Sequence, residues 1–249
     1  MDRLIQRYQP RPVTDFAPPP LEVAPGLWTL ERRLRMPAGP RLPTLTTIVR
    51  LASGGVLVVS PPAVACGGLA ALDALGGVEE VLVPNSFHYV NAPAFLARHP
   101  GATLRVPPAF SERVAGFPGG TPLDDAPVAA WRGAVEHAIL GPVRGLAEVA
   151  LFHVPSASLL LTDVAFNLVH IERGFDRLVW RLSGIPSTFG PSRTARTFLL
   201  ADRGRAAAFL RRVLAWPFRR VLVAHGEPVE HDARCAFERA FASYLGAPR

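Results

Sequence analysis

Lysine is missing from this 249-residue chain: all 27 basic residues are arginine, set against 20 acidic ones. A phosphate-cradling loop with its lysine is therefore excluded, and the glycine-rich GGLAALDALGG has no GxGxxG spacing either. Cysteine is scarce. Cys66 and Cys235 stand alone and far apart, which leaves neither a disulfide framework nor a paired-cysteine metal knuckle. The expectation is two small buried hydrophobes in a reducing compartment. Long apolar runs are also lacking. The most apolar region, EVALFHVPSASLLLTDVAFNL, is interrupted by His153, several serines and Asp163, short of the roughly 18 uninterrupted residues a membrane span needs. No membrane partner is expected. The opening MDRLIQRYQPRPVTDF lacks the apolar block and small-residue cleavage site of a secretory signal, so the expected location is cytoplasmic.

What is present belongs to a folded protein, because 49% hydrophobic residues can bury a core that a disordered chain could not build. The formal charge of +7 favours anionic partners, yet the exclusive use of arginine alongside much Ala, Gly and Pro has the look of GC-rich coding. Basic residues concentrate locally only in GPSRTARTFLLADRGRAAAFLRRVLAWPFRR, where eight arginines accompany one aspartate between Arg193 and Arg220. This reads as a solvated helix face, and nucleic acid is not an expected partner.

Residues 1–25 form a proline-rich extension, and one domain runs over 26–249. GLWTLERRLRM, LPTLTTIVRLA and GVLVVSPP carry the β-branched and aromatic content of strands, the last two joined by an SGG turn. Three antiparallel strands open the domain. A short helix in CGGLAALDALGG, the strand EEVLVP, a helix in APAFLARHPG and the strand ATLRVPP follow. The second half offers strands in AVEHAIL, EVALFHV and SLLLTD, a helical region NLVHIERGFDRLVWRLSG, and a helix ADRGRAAAFLRRVLAW. It closes with the strand RRVLVAHG and the amphipathic helix EHDARCAFERAFASYL. The expected fold is α+β, an αββα sandwich of two mixed sheets with helices on both outer faces. A doubly wound parallel sheet fits less well, since the first strands are linked too tightly for crossovers.

Polar residues that could carry chemistry stand just after apolar strands: Ser86 and His88 in VLVPNSFH, Asp163 after SLLLT, and His225 after RRVLVA. In this order they resemble the metallo-β-lactamase superfamily. The loop SFHYVN matches the family's HxHxDH with His88 on the second histidine, while Ser86, Val90 and Asn91 replace the other ligands. LLLTDVAF is similar to the strand that ends in a bridging aspartate, and LVAHGEP to the segment with the last histidine ligand. The family's middle histidine should fall within GPVRGLA, residues 141 to 147, which has none. The likeness covers roughly residues 26 to 230 and is to an uncharacterised branch with several metal ligands missing.

The resemblance implies a hydrolase-like protein with a reduced, mononuclear site. His88, Asp163 and His225 would ligate one divalent ion, zinc, iron or manganese, and bound water would serve as nucleophile on a small-molecule substrate. A dinuclear site is excluded by the lost ligands. The alternative is a metal-free scaffold acting as a ligand-binding or interaction module. In it His88 is hydrogen-bonded beneath a loop, Asp163 caps a helix beginning near Val164, and His225 orients the turn before Gly226. Nucleic-acid processing is a third reading. Of the other histidines, His99 reads as a helix C-terminal residue and His231 lies near a helix start, while His137 and His153 flank the empty segment and one of them could reach the site. Ser86 has no GxSxG frame around it. Catalytic groups and oligomeric state are not legible.

Overall fold

Alternation of side chains decides the architecture. The computed structural model describes residues 11–12, 18–36, 39–65, 68–114, 117 and 119–246. Strands β1 (Arg11–Pro12), β2 (Leu21–Ala24), β3 (Leu27–Arg35), β4 (Arg41–Arg50), β5 (Val56–Val59), β6 (Val78–Leu82), β7 (Thr103–Val106) and β8 (Thr121–Pro122) form an eight-stranded sheet. Its path runs β1-β3-β4-β5-β6-β7-β8, with β2 paired to β3. The pairs β3–β4 and β4–β5 are antiparallel, and β5, β6, β7 and β8 run parallel. Strands β9 (Val135–Val143), β10 (Leu146–His153), β11 (Ser158–Leu161) and β12 (Arg220–Val223) make a four-stranded sheet in the order β12-β11-β10-β9, with β11 and β12 parallel.

Period-two patterning sorts each strand between two apolar layers. Leu27, Val49, Leu57, Val59 and Leu82 of the first sheet meet Val149, Leu151, Leu160 and Leu222 of the second, forming the inner core. Their strand neighbours Trp28, Ile48, Val56, Val58 and Val81 face outward, where Leu69 and Leu72 of helix α1 (Leu69–Asp73) and Phe95 of α2 (Ala92–Arg98) cover them. A short helix α3 (Phe110–Arg113) adds Phe110 to that layer. On the other side Phe152, Leu159, Leu161, Val221 and Val223 pack under Phe209, Leu210 and Val213 of α5 (Arg203–Ala215) and Phe237 and Phe241 of α6 (Ala233–Leu245). Each fully buried Leu, Val or Phe contributes about 1.5–3 kcal/mol by leaving water. Two sheets covered on both faces by helices are the αββα sandwich expected from the sequence.

Local expectations differ at several points. The predicted helical region over residues 167–184 is helical only in α4 (Gly174–Leu182). Residues 164–173 are drawn instead into contact with the end of β12: the Asn167 N–H donates to the His225 carbonyl and its side chain donates to the Glu227 carbonyl. No helix begins at Val164 for Asp163 to cap. Within GPVRGLA, β9 and β10 run on to a tight turn at Arg144 and Gly145, both at positive φ. Cys235 is exposed, not buried: Ala233, Phe237 and Phe241 hold the inner face of α6, and a residue two positions beyond Ala233 is carried about 200° round to solvent. Cys66 lies outside the described residues. His99 does stand at the C-terminus of α2.

The arginine-rich stretch is only partly a solvated face. Arg203 donates to the Ser243 carbonyl and lies over the Tyr244 ring, Arg212 pairs with Asp125, and Arg220 donates to the Val23 carbonyl at 3.0 Å. These contacts tie α5 and β12 to their neighbours. Among the described residues no helix is long and apolar enough to cross a membrane.

Candidate metal centre

Parallel strands bring their carboxyl ends to one rim, and that rim holds the candidate site. In the β11–β12 pair Leu161 lies opposite Val223, so Asp163 and His225, each two residues further on, emerge side by side. In the β5–β6 pair Val59 lies opposite Leu82, which places Ser60 and the turn carrying His88 at the same rim of the other sheet. The sheets meet there through the Leu45 N–H to Ala224 carbonyl bond and a bridge between Asn85 and Glu148.

The three residues singled out from the sequence converge. His88 Nε2 lies 3.4 Å from Asp163 Oδ2, His225 Nε2 lies 3.2 Å from Asp163 Oδ1, and the two Nε2 atoms are 3.2 Å apart. All three ligand-type atoms fall within 4.8 Å of one another, and no other such group of three occurs among the described residues. The opposite ring nitrogens are engaged behind. His225 Nδ1 contacts the Pro43 carbonyl at 2.9 Å, and His88 Nδ1 contacts Ser60 Oγ at 2.8 Å. A carbonyl only accepts, so the His225 proton sits on Nδ1 and its Nε2 lone pair faces the cluster. The Phe166 ring stacks on His225 at 5.0 Å between centroids and fixes its plane.

Backbone geometry supports this placement. Gly226 adopts φ +114°, and a Cβ there would lie 2.1 Å from the Asn167 carbonyl oxygen, so only glycine lets the segment after His225 pass so close. Ahead of His88, the Asn85 side chain accepts from the Phe87 and His88 N–H groups at 2.8 and 3.2 Å, an Asx turn that aims the loop inward. Its amide donates to Asp163 Oδ2 at 2.8 Å. One residue thus sets two of the three candidates.

Sequence reasoning missed Glu148. It is fully buried on β10, and its carboxylate accepts from the backbone N–H groups of Thr162, Asp163 and Val164 at 3.2, 3.0 and 2.9 Å, and from Asn85 Nδ2 at 3.3 Å. It holds the turn that presents Asp163. The available signal was a lone acid inside the apolar run LAEVALF, since an unpaired Glu in a buried strand position is rare. Asn85 stands in the VLVPNSFH turn, where its residue type alone assigns it no role. His137 and His153, one of which was expected within reach, are both occupied elsewhere: His137 Nε2 contacts the Asp124 carbonyl and His153 Nδ1 contacts Ser156 Oγ.

Burial and charge set the electrostatics. Burial, opposed by Asp163, lowers the His88 pKa, and His225 and the nearby Arg32 guanidinium lower it further, so the ring favours its neutral form. Burial alone would raise Asp163, but the two histidines outweigh it and hold this carboxyl well below the usual carboxylate range. Glu148 moves the other way: burial first and the Asp163 carboxylate second push it up to about 8, against the pull of its N–H donors. A cavity of about 450 Å³ opens onto the cluster.

The fold recurs in solved structures of low sequence identity. The metal-soaked Flv1 flavodiiron core from Synechocystis sp. PCC6803 superposes with a TM-score of 0.63 at 12% identity over 91% of this chain; the chain spans only 60% of that protein's length. A metallo-beta-lactamase from Pontibacter korlensis matches with a TM-score of 0.61 at 12% identity, over 96% of this chain and 100% of that one. The metallo-beta-lactamase FIM-1 from Pseudomonas aeruginosa in its mono-zinc form gives 0.58 at 14% identity, over 92% and 98%. The architecture is thus that of the metallo-β-lactamase-like superfamily. No curated protein matches the sequence. Residues 26–195 match the family described as Domain of unknown function (DUF4336), and the chain belongs to that family.

Proposed function

We propose that this protein is a hydrolase-type member of its fold that holds one divalent ion, zinc, iron or manganese, at His88, Asp163 and His225. One observation carries the reading: three atoms of ligand type from three separate segments face each other at 3.2–3.4 Å. With Nδ1–H of His225 committed to Pro43, the neutral ring turns its Nε2 lone pair towards the Asp163 carboxylate, an arrangement that a cation between them would satisfy. The residues fit such an ion. Two imidazoles and one carboxylate, with Ser60 and Pro43 behind the rings and Asn85 behind the acid, are a donor set with its supporting hydrogen bonds already in place.

A bound ion would supply Lewis acidity and an activated water at neutral pH. Around it, Asp163 provides the one anionic donor, His88 and His225 provide neutral ones, and Asn85 and Glu148 keep the Asp163 carboxylate from turning away. A small molecule bound in the cavity would bring its reacting bond against this cluster. The mono-zinc form of the FIM-1 enzyme shows a single zinc in that protein, which supports reading one ion here. Nucleic acid is a poorer candidate, since Arg203, Arg212 and Arg220 are engaged in internal contacts. The scarcity of cysteine fits a cytoplasmic setting.

A non-catalytic scaffold is favoured by one specific observation: the hairpin over residues 141–147 contributes no donor to the cluster, and Ser86, Val90 and Asn91 stand where the family motif has ligands. Metal analysis separates the two readings. Protein purified without a histidine tag should contain one ion per chain, and Asp163→Ala should lose it while remaining folded. Wild type free of stoichiometric metal after exposure to zinc, iron and manganese would refute the hydrolase reading and leave the scaffold.

A further inference from the structure

We infer that the cavity beside the cluster binds a small amphiphile, with a neutral polar head at His88, Asp163 and His225 and an unbranched apolar body along the opposite wall. Only the placement of the head rests on the proposed ion; the apolar body does not. The cavity of about 450 Å³ lies within the range of about 300–1,000 Å³ that encloses most of a small ligand. Its polar groups are unevenly distributed. His88, Asp163, His225 and the buried Arg32, which donates to the Ser60 carbonyl at 3.1 Å, are its charged and titratable lining, and Ser183 and Thr194 are exposed. Apart from Thr44, Ser86, Asn91 and Ser192, the rest of the lining is chiefly apolar.

That wall has a structural origin. Leu42 and Trp180 belong to a small satellite cluster, with Ile185 packed against it, separate from both the inner core and the two helix-covered layers. Phe198 also lines the cavity, as does Phe166, whose ring stacks on His225. The indole N–H of Trp180 is already spent on the Arg41 carbonyl at 3.0 Å, so the ring offers the cavity only apolar surface. Water within such walls finds few hydrogen-bond partners, and an alkyl chain that displaces it is favoured in proportion to the area it covers. In the metal-free protein Asp163 would repel a charged carboxylate, so the head that suits both forms is a neutral group, such as an amide or ester, able to approach the cluster. Polar metabolites such as sugars would leave hydroxyls unpaired against Leu42 and Ile185.

Straight-chain hydroxamic acids, uncharged near neutral pH, test this directly. Butano-, hexano-, octano- and decanohydroxamic acid would be titrated by calorimetry into metal-free and zinc-loaded protein. Affinity should rise by up to about fourfold for each added methylene in both forms, then level off once the wall is covered. Zinc should tighten every member by a common factor. Ile185→Trp and, separately, Phe198→Trp should flatten the length dependence while leaving zinc uptake unchanged. Affinity independent of chain length, or a length dependence that neither folded variant alters, would overturn the inference whatever zinc does. A length dependence with no gain from zinc would uphold the apolar cavity and refute the proposed ion. Should a variant fail to fold, the wild-type series decides alone.

Discussion

Removing Glu148 should cost more than removing any of the three candidate ligands, although it touches none of the space a substrate would enter. Its carboxylate satisfies four donors, and Glu148→Ala leaves three of them, the Thr162, Asp163 and Val164 N–H groups, without an acceptor. The fourth, Asn85 Nδ2, keeps Asp163 Oδ2 and Thr162 Oγ1. Each orphaned buried donor costs about 1–3 kcal/mol, a gross loss of about 3–9 kcal/mol. Some of this is returned, because the deletion also removes an acid that is itself buried beside Asp163. The expected net loss is about 2–4 kcal/mol by urea denaturation. Glu148→Gln keeps one acceptor oxygen and should lose about half as much. With the turn released, zinc affinity should also fall, although neither variant removes a ligand. A Glu148→Ala protein within 1 kcal/mol of wild type would refute the reasoning, showing that water or a shifted turn serves those donors equally well.

Three further outcomes follow from the same geometry. Gly226→Ala must place a Cβ 2.1 Å from the Asn167 oxygen at φ +114°, and should lose about 3 kcal/mol or more in thermal or chemical melts and displace His225. Asn85→Ala removes the Asx turn and the bond to Asp163, so zinc affinity measured by competition with a chelator should drop about 10- to 100-fold while the fold persists. His153 has its pKa lowered to about 4, by burial first and Arg220 second. Above about pH 6.5 neither folded nor unfolded chain protonates it; as pH falls from there towards 4 the unfolded chain takes up a proton that the folded one resists, and stability falls by about 2 kcal/mol after allowance for its polar neighbours. His153→Gln should flatten that part of the stability profile between pH 6.5 and 4.

The fold was legible because its determinants are local and repeated. Leu57 and Val59 against Val56 and Val58 show the alternation of a strand covered on both sides, and Ala233, Phe237 and Phe241 show the spacing of a helix covered on one. Tight turns between the opening strands leave no room for parallel crossovers. Where pattern failed, a tertiary contact had overridden propensity. NLVHIERG carries helix-compatible spacing, yet Asn167 is tied through backbone and side chain to His225 and Glu227, and a helix would forfeit both bonds. Cys235 misled for the opposite reason: its chemistry suggests burial, and its angular position on α6 denies it.

The candidate site divides along the same line. His88, Asp163 and His225 were legible because each lies in the turn after an apolar strand, and the parallel register of β11 with β12 converts the shared two-residue offset of Asp163 and His225 into proximity. Glu148 follows no strand. It lies inside one, and its value comes from facing a turn 14 to 16 residues away, a relation that depends on how β10 packs beside β11. The missing middle histidine had drawn attention to residues 141–147 as an empty position, when the same segment leads into the acid that braces Asp163 from behind. A loop without a donor beside a buried acceptor on the adjoining strand is physically coherent, because fewer donors around an ion would place more demand on the rigidity of those that remain. Burial beside Asp163 pushes the Glu148 pKa up to about 8, so the side chain gives up its charge more readily than its place behind the turn that presents Asp163.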